Sequence, residues 1–337
     1  MSRPKLRRHL CFLDVGHGNA AVLIAGDNDV TLVDVGRHST LREFLYEQQI
    51  TRIGSVYLSH ADHDHIGALV GLLAAREISI ERVYLNSDAT KQSKVWNDLL
   101  YELDQAHRVG QLHFQTSLAV GHEELFNGDV SLEVLAPSPY LTGKGPGGVD
   151  LDGRRIRTNS ISAVIAIAVE GQRLALLPAD LDSIGLSDLL RQDPDLRAPI
   201  LVYPHHGGRP ADMDPDDFAR TLLQAVMPSQ VFFSVGRGLY STPNPRTITA
   251  LRETLPDARI ICTQLSEHCS RNLPQPPIPM DHLADAFAQG RFAGTCCGGT
   301  IVVPLARASS LLPLLTDHAR FISTHVDTPL CLGHPSG

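Results

Sequence analysis

Six consecutive residues constrain this chain more than any other stretch. The run His60-Ala61-Asp62-His63-Asp64-His65 sets five metal-competent side chains directly behind the strand-like segment Ser55-Val56-Tyr57-Leu58-Ser59. Hard and borderline divalent ions take imidazole nitrogen and carboxylate oxygen, with one position left open to water. A single segment cannot wrap an ion, so a working site needs donors from distant loops. Two stand in the same local context: Asp180 behind the apolar Arg173-Leu174-Ala175-Leu176-Leu177, and His205-His206 behind Pro199-Ile200-Leu201-Val202-Tyr203. Each cluster follows an apolar strand and adjoins Gly or Pro. A solvated polar loop accounts for one such cluster but not for three.

The patterning around these clusters is that of an α/β protein. Strands are expected at Leu10–Val15, Ala20–Ala25, Val30–Val35, Ser55–Ser59 and Arg82–Leu85, with helices at 38–49, 66–75 and 93–109. Further strands are expected at Leu112–Gln115 and Val130–Leu135. A Gly- and Pro-rich stretch from Pro137 to Arg157 reads as a mobile loop beside the site. Strand and helix then alternate again through Ser162–Val169, Arg173–Leu177, 186–192, Pro199–Tyr203, 215–226, Gln230–Val235, 245–253 and Arg259–Thr263, with a last strand at Gly299–Leu305. Ligands at the C-terminal ends of strands suit the open edge of such a sheet. The expected organisation is one domain over 9–305, followed by a helix and tail over 306–337.

The formal charge of −8 argues against a protein that coats duplex nonspecifically, although bound metals and local basic patches can still hold phosphate. No apolar run approaches the roughly 20 residues that span a bilayer, and the basic start Met1–Arg8 leads straight into a strand. Six cysteines in 337 residues do not form a disulfide framework. A cytoplasmic protein without a membrane partner is expected.

Four segments, in order, carry a resemblance. They are Leu13-Asp14-Val15-Gly16-His17-Gly18-Asn19-Ala20 with Leu32–Gly36; Leu58–Gly67; Asn159–Ser162 with Leu176–Asp180; and Val202–Gly208 followed by Phe233–Gly236. Over roughly residues 9–265 the chain resembles the metallo-β-lactamase superfamily, and within it the soluble hydrolase domain of ComEC-type DNA-uptake proteins. The resemblance implies an αββα four-layer sandwich with two divalent ions, zinc or manganese, at one sheet edge. It assigns His60 and Asp62 to one ion, Asp64 and His65 to the other, and Asp180 to both. Asp64, His65 and Asp180 would carry the chemistry. The last ligand falls at His205 or His206, with His206 favoured, and His63 binds neither ion.

The sequence also departs from that pattern. Thr242 stands where ComEC-like domains carry a His, so Tyr240 or Arg237 becomes a candidate proton donor or substrate contact. Arg157, at the end of a run with Arg154 and Arg155, and Asn159 are candidate phosphate contacts. Asp34 is expected to hydrogen-bond the metal-loop backbone or a ligand His. Cys262, His268, Cys269, Cys296 and Cys297 are weighed as a second zinc group and as buried thiols.

The expected function is metal-dependent phosphodiester hydrolysis, with nucleic acid the leading substrate. The alternatives are a small phosphoester or other ester, and a scaffold subunit that binds without cutting. A homodimer or a partner protein is left open.

Overall fold

The computed structural model describes residues 5–27, 29–75, 77–192, 195–273, 280–307, 314 and 316–332. In chain order the first half runs β1 (His9–Phe12), β2 (Ala20–Ile24), β3 (Val30–Val35), α1 (Thr40–Glu47), β4 (Arg52–Tyr57), α2 (His63–Ala75), β5 (Ser79–Tyr84), α3 (Lys94–Arg108), β6 (His113–Gln115), β7 (Glu123–Phe126), β8 (Val130–Ala136) and α4 (Pro139–Lys144). The second runs β9 (Val164–Val169), β10 (Gln172–Leu177), α5 (Ser183–Gln192), β11 (Ile200–Val202), α6 (Pro215–Val226), β12 (Gln230–Phe233), α7 (Pro245–Thr254), β13 (Arg259–Cys262), α8 (Gln289–Ala293), β14 (Ile301–Pro304) and α9 (His318–His325).

Among the described residues these strands build two seven-stranded sheets, ordered β14-β1-β2-β3-β4-β5-β6 and β13-β12-β11-β10-β9-β8-β7. In each sheet one side is antiparallel and the other parallel. The strands β3 to β6 run parallel, as do β10 to β13.

The period-2 alternation of the strands produces the layers. Leu10 and Phe12 of β1, Ala21 and Leu23 of β2, and Ile165 and Ile167 of β9 meet in a core between the sheets. Their neighbours Cys11, Val22 and Ile24 face outward to α1, α2 and α3, where Leu41, Phe44, Ile66, Leu69, Trp96 and Leu99 cover them. On the second sheet Val164, Ala166 and Leu176 face α5, α6, α7 and α9, through residues such as Leu189, Phe218, Leu222, Leu251 and Phe321. The architecture is therefore the expected αββα sandwich. α9 joins the outer layer of the second sheet, while part of the expected tail lies outside the described residues.

Among the segments that differ from the sequence reading are β7 and α4. The edge strand β7 pairs antiparallel with β8; its Glu-Glu-Leu-Phe sequence carries no buried alternation to announce it. The stretch from Pro137 to Arg157 is not a loose loop. Ser138 accepts the backbone N–H of Leu141 at 3.2 Å and starts α4, with Pro139 in its first turn. Leu141, Ile156, Ile161 and Ile184 then pack into a small core of their own.

Phe232 is 1% exposed and meets Phe12 of the opposite sheet edge-on, ring centroids 5.5 Å apart. Phe232→Ala is expected to cost about 3–5 kcal/mol. Urea denaturation should show this as a lower midpoint with an unchanged slope; a loss below about 1 kcal/mol would mean the two sheets do not depend on this contact.

Candidate metal centre

The parallel strands of both sheets end at one place. Asp34 closes β3, the His60–His65 run follows β4, Asp180 follows β10, and His205-His206 follows β11. α2 begins inside the run, three residues earlier than the periodicity suggests, so that His63, Asp64 and His65 form its first turn. A carboxylate there is favoured by the positive end of the helix dipole. The turn is held from below by Asn19, whose N–H donates to Asp64 O at 3.2 Å. Gly18 approaches so closely that a Cβ would lie 2.3 Å from that oxygen, and its φ of +132° also favours glycine.

Hydrogen bonds to one ring nitrogen set the other in each histidine. His65 Nδ1 lies 2.6 Å from Asp34 Oδ2, which can only accept. His206 Nδ1 donates to the Ser234 carbonyl at 2.9 Å. Ser59 Oγ donates to Asp34 Oδ2 at 2.8 Å, so at 2.9 Å it accepts from His60 Nδ1. Each Nε2 therefore points the opposite way, into a common space. His60 Nε2, His65 Nε2, His206 Nε2 and Asp180 Oδ1 are all buried without a hydrogen-bond partner.

The distances close the group. Asp180 Oδ1 lies 3.1 Å from His65 Nε2 and 3.5 Å from His206 Nε2, while Asp64 Oδ2 lies 3.4 Å from His206 Nε2. One donor atom from each of Asp64, His65, Asp180 and His206 falls within 4.8 Å of the others. The second oxygen of Asp180 faces the other half of the site, 4.0 Å from His60 Nε2 and 3.1 Å from His205 Nδ1. His60 Nε2 is 3.5 Å from Asp62 Oδ2, and the other Asp62 oxygen is ion-paired with Lys91. Buried polar atoms left unpaired cost stability unless something binds them. Such atoms, of types that ligate zinc or manganese, fit divalent ions; Asp64, His65, Asp180 and His206 form the close group and His60 lies across Asp180 from it.

The electrostatics agree. Burial pushes the Asp64 and Asp180 carboxyls up, but the surrounding histidines outweigh it and hold both well below the usual carboxylate range. Asp62 settles at about 2: burial raises it, and His60 and Lys91 lower it further. Burial alone would depress His65, yet Asp180 and Asp34 on either side raise it well above 6.5.

Most of the expected site residues converge here. Of the two adjacent histidines, both in left-handed turns at φ 52° and 55°, His206 joins the tight group and His205 approaches Asp180 from the outer side. Asn159 Nδ2 is 3.3 Å from His205 Nδ1. The Tyr240 ring lies 4.3 Å from that of His17, tilted by 42°, and the residue is 58% exposed. Arg237 instead donates to the carbonyls of Leu265, Ser270 and Arg271, which makes it a tie between loops. His63 stays outside, against Gly67.

The sequence reading missed two neighbours, Lys91 and His17. His17 Nε2 is 3.2 Å from Asp64 Oδ2, and its ring lies 4.2 Å from that of His206. Its place in the Gly16–Gly18 turn was the available signal. The six cysteines are free and buried, with Cys297 Sγ 3.1 Å from His318 Nε2. Among the described residues they form no metal-binding group.

Residues 13–156 match the family model of the metallo-beta-lactamase superfamily. The match spans less than half of the chain. It includes Asp34 and the whole His60–His65 run but ends before Asp180 and His206, whose place rests on the geometry above. No curated protein matches the chain.

Several solved structures are similar to it. The metallo-beta-lactamase fold protein YhfI from Bacillus subtilis is 12% identical, with 75% of this chain and 96% of that one covered and a TM-score of 0.47. Tm1679, described as a metal-dependent hydrolase of the beta-lactamase superfamily, is 17% identical, covers 75% and 95%, and scores 0.48. Igni18, a metallo hydrolase from Ignicoccus hospitalis KIN4/I, is 12% identical, covers 77% and 97%, and scores 0.43. Likenesses of this order carry nothing about substrate. Among the described residues no helix is long and apolar enough to cross a membrane.

Two outcomes are expected. Asp34→Ala should weaken zinc or manganese binding by about 10–100-fold, the usual effect of removing a ligand's outer partner; a metal titration that matches the wild type would refute the orienting role. Metal uptake should also release protons. His65 is protonated below its raised pKa and must lose that proton to ligate, so affinity falls as pH falls below that value. Calorimetry in two buffers of different ionisation heat should find proton release that grows as pH falls, and no release would contradict the assignment.

Proposed function

We propose that the protein is a metal-dependent hydrolase of phosphodiesters, with nucleic acid the leading substrate class. The observation that carries the reading is the set of four buried, unpartnered donor atoms from His60, His65, His206 and Asp180, aimed into one space. Asp62, Asp64 and Asp180 make the set rich in carboxylate, which suits zinc and manganese alike. Divalent ions held there would lower the pKa of bound water toward 7 and neutralise charge developing on a phosphate.

The chain's own residues divide the remaining work. Asp180 faces both halves of the site with its two oxygens, so it is placed to fix their separation. Asp34 and Ser234 hold His65 and His206 in register through their Nδ1 atoms. His60 and Asp62 form the outer half, with His205 and Asn159 at its rim. The resemblance to ComEC-type hydrolase domains supports a phosphodiester rather than a lactam. Thr242, in place of the His those domains carry, is buried, and its carbonyl accepts from Ser266. That position carries no ionisable group here; exposed Tyr240, beside His17, is the candidate in its place.

The test is hydrolysis of bis(p-nitrophenyl) phosphate and of single- and double-stranded DNA and RNA by zinc- or manganese-loaded protein. Asp64→Ala and His65→Ala serve as controls, with metal content measured in parallel. Metal-dependent cleavage is expected, falling in both variants by more than the roughly 10–100-fold typical of outer partners. Protein that retains its metal and cleaves none of these substrates would defeat the reading.

A further inference from the structure

Beside the outer half of the centre lies a cavity of about 360 Å³, lined by three cations, Lys91, Arg157 and Arg209, together with Asp62, Asp180 and His205. Its volume is that of a small-ligand site, nucleotide-sized rather than duplex-sized.

The walls are tied together by buried carboxylates whose two oxygens are both engaged by the scaffold. Asp88 is 3% exposed. Its Oδ1 accepts the N–H groups of Thr90 and Lys91 and the hydroxyl of Thr90, at 2.9, 3.1 and 2.7 Å. Its Oδ2 accepts Thr158 Oγ1 at 2.6 Å. One side chain thus joins the Lys91 wall to the Arg157–Asn159 wall. Asp182 binds that second wall to α5: Oδ2 accepts Ser160 Oγ at 2.6 Å, and Oδ1 accepts the N–H groups of Ile184 and Gly185 at 2.9 and 3.0 Å. Ser160 Oγ in turn accepts the N–H of Arg157 at 3.0 Å.

Three carboxylates, Asp62, Asp180 and Asp182, line the cavity beside the three cations. Asp62 and Asp180 turn to the metal centre, where divalent ions would offset their charge. Asp182 is engaged by three scaffold hydrogen bonds, so the cations are the groups left to meet an anion. Lys91 pairs with one oxygen of Asp62, and its ammonium has three donors, so two remain. Arg157 holds only an exposed pair with Asp212 at 3.1 Å, the kind worth little in water. Arg209 is exposed and, among the described residues, makes no ion pair. A group of three cations beside a phosphodiester-cleaving centre suits a second anion on the substrate. Arginine forks match phosphate oxygens two at a time.

We propose that this cavity seats a second, terminal phosphate of the substrate, held by Lys91, Arg157 and Arg209. The protein then acts on phosphodiesters one unit from a phosphorylated end, or on small molecules with two phosphates at that spacing. The inference rests on the phosphodiesterase reading for the identity of the scissile bond. The cavity's preference for phosphate can be measured without turnover.

The binding experiment compares thymidine 3′,5′-bisphosphate with thymidine 5′-monophosphate on metal-loaded protein by calorimetry, for wild type, Arg209→Ala and Arg157→Ala. The wild type should bind the bisphosphate about tenfold more tightly or better. Each variant should shrink that ratio toward one, with circular dichroism confirming the fold. Turnover adds thymidine dinucleotides with hydroxyl ends, a 5′-phosphate or a 3′-phosphate; one phosphorylated form should be preferred, and Arg209→Ala should lose that preference. Equal binding of the two nucleotides by wild type, or a ratio that survives both substitutions, overturns the proposal. Cleavage of all dinucleotides without preference removes the cavity's role and leaves the phosphodiesterase reading standing. Arginine-dependent bisphosphate binding without any cleavage supports the cavity and removes that reading.

Discussion

The geometry of the centre depends on the Asp34 carboxylate. It stands at the end of β3 in a left-handed conformation, φ 55°, an arrangement Asp tolerates better than most residues. That turn aims the side chain across to the neighbouring β4. There Oδ1 accepts the backbone N–H of Ser59 at 2.8 Å and Oδ2 takes His65 Nδ1 and Ser59 Oγ. Through Ser59 it also reaches His60. Two of the three imidazoles facing the centre take their orientation and their tautomer from this single group. A neutral or shortened side chain would leave the rings free to turn and their Nε2 atoms without a common target.

Much of this was legible in the residues. The layers follow from short strands that are apolar on both faces, as in β1, β2 and β9, and the three ligand clusters follow from polar groups placed directly behind apolar strands. What escaped was set by long-range contact. Lys91 sits in a polar segment between a strand and a helix, where a lysine is ordinarily solvated; only the fold carries it to Asp62. β7 is an edge strand with two glutamates, and its Glu124 joins Ser55, Tyr84 and Arg82 of the first sheet in a polar cluster that no local period encodes. α4 had a readable start in Ser138-Pro139, but the glycines around it pointed to a loop. Arg237 failed as a substrate candidate for the same reason in reverse. Its three carbonyl partners come from 28 to 34 residues away.

The adjacent histidines show how backbone decides between identical side chains. On a regular strand His205 and His206 would face opposite sides of the sheet. Here both occupy the left-handed region, and the turn they form brings both toward Asp180 from different directions. His206 is buried at 2% exposure and anchored by Ser234, while His205 stays partly exposed beside Asn159. The first is therefore fixed as a donor to the inner group. The second stands between that group and the cationic cavity, whose wall it joins.

The same sorting separates the aspartates, which the sequence alone presents as equivalent acids at strand ends. Asp34, Asp88 and Asp182 accept hydrogen bonds on both oxygens, two or more of them from within the scaffold, and so act as ties. Asp180 keeps Oδ1 buried and unpartnered, and Asp64 is approached only by imidazoles. Asp62 lies between these classes, with one oxygen toward His60 and the other on Lys91. A carboxylate shared in this way couples the outer half of the metal centre to the cavity beside it. Lys91 keeps Asp62 charged and oriented for an ion while still offering hydrogens to an anion. The metal centre and the anion site are therefore joined by one side chain rather than merely adjacent, and the outer position should respond to what occupies the cavity.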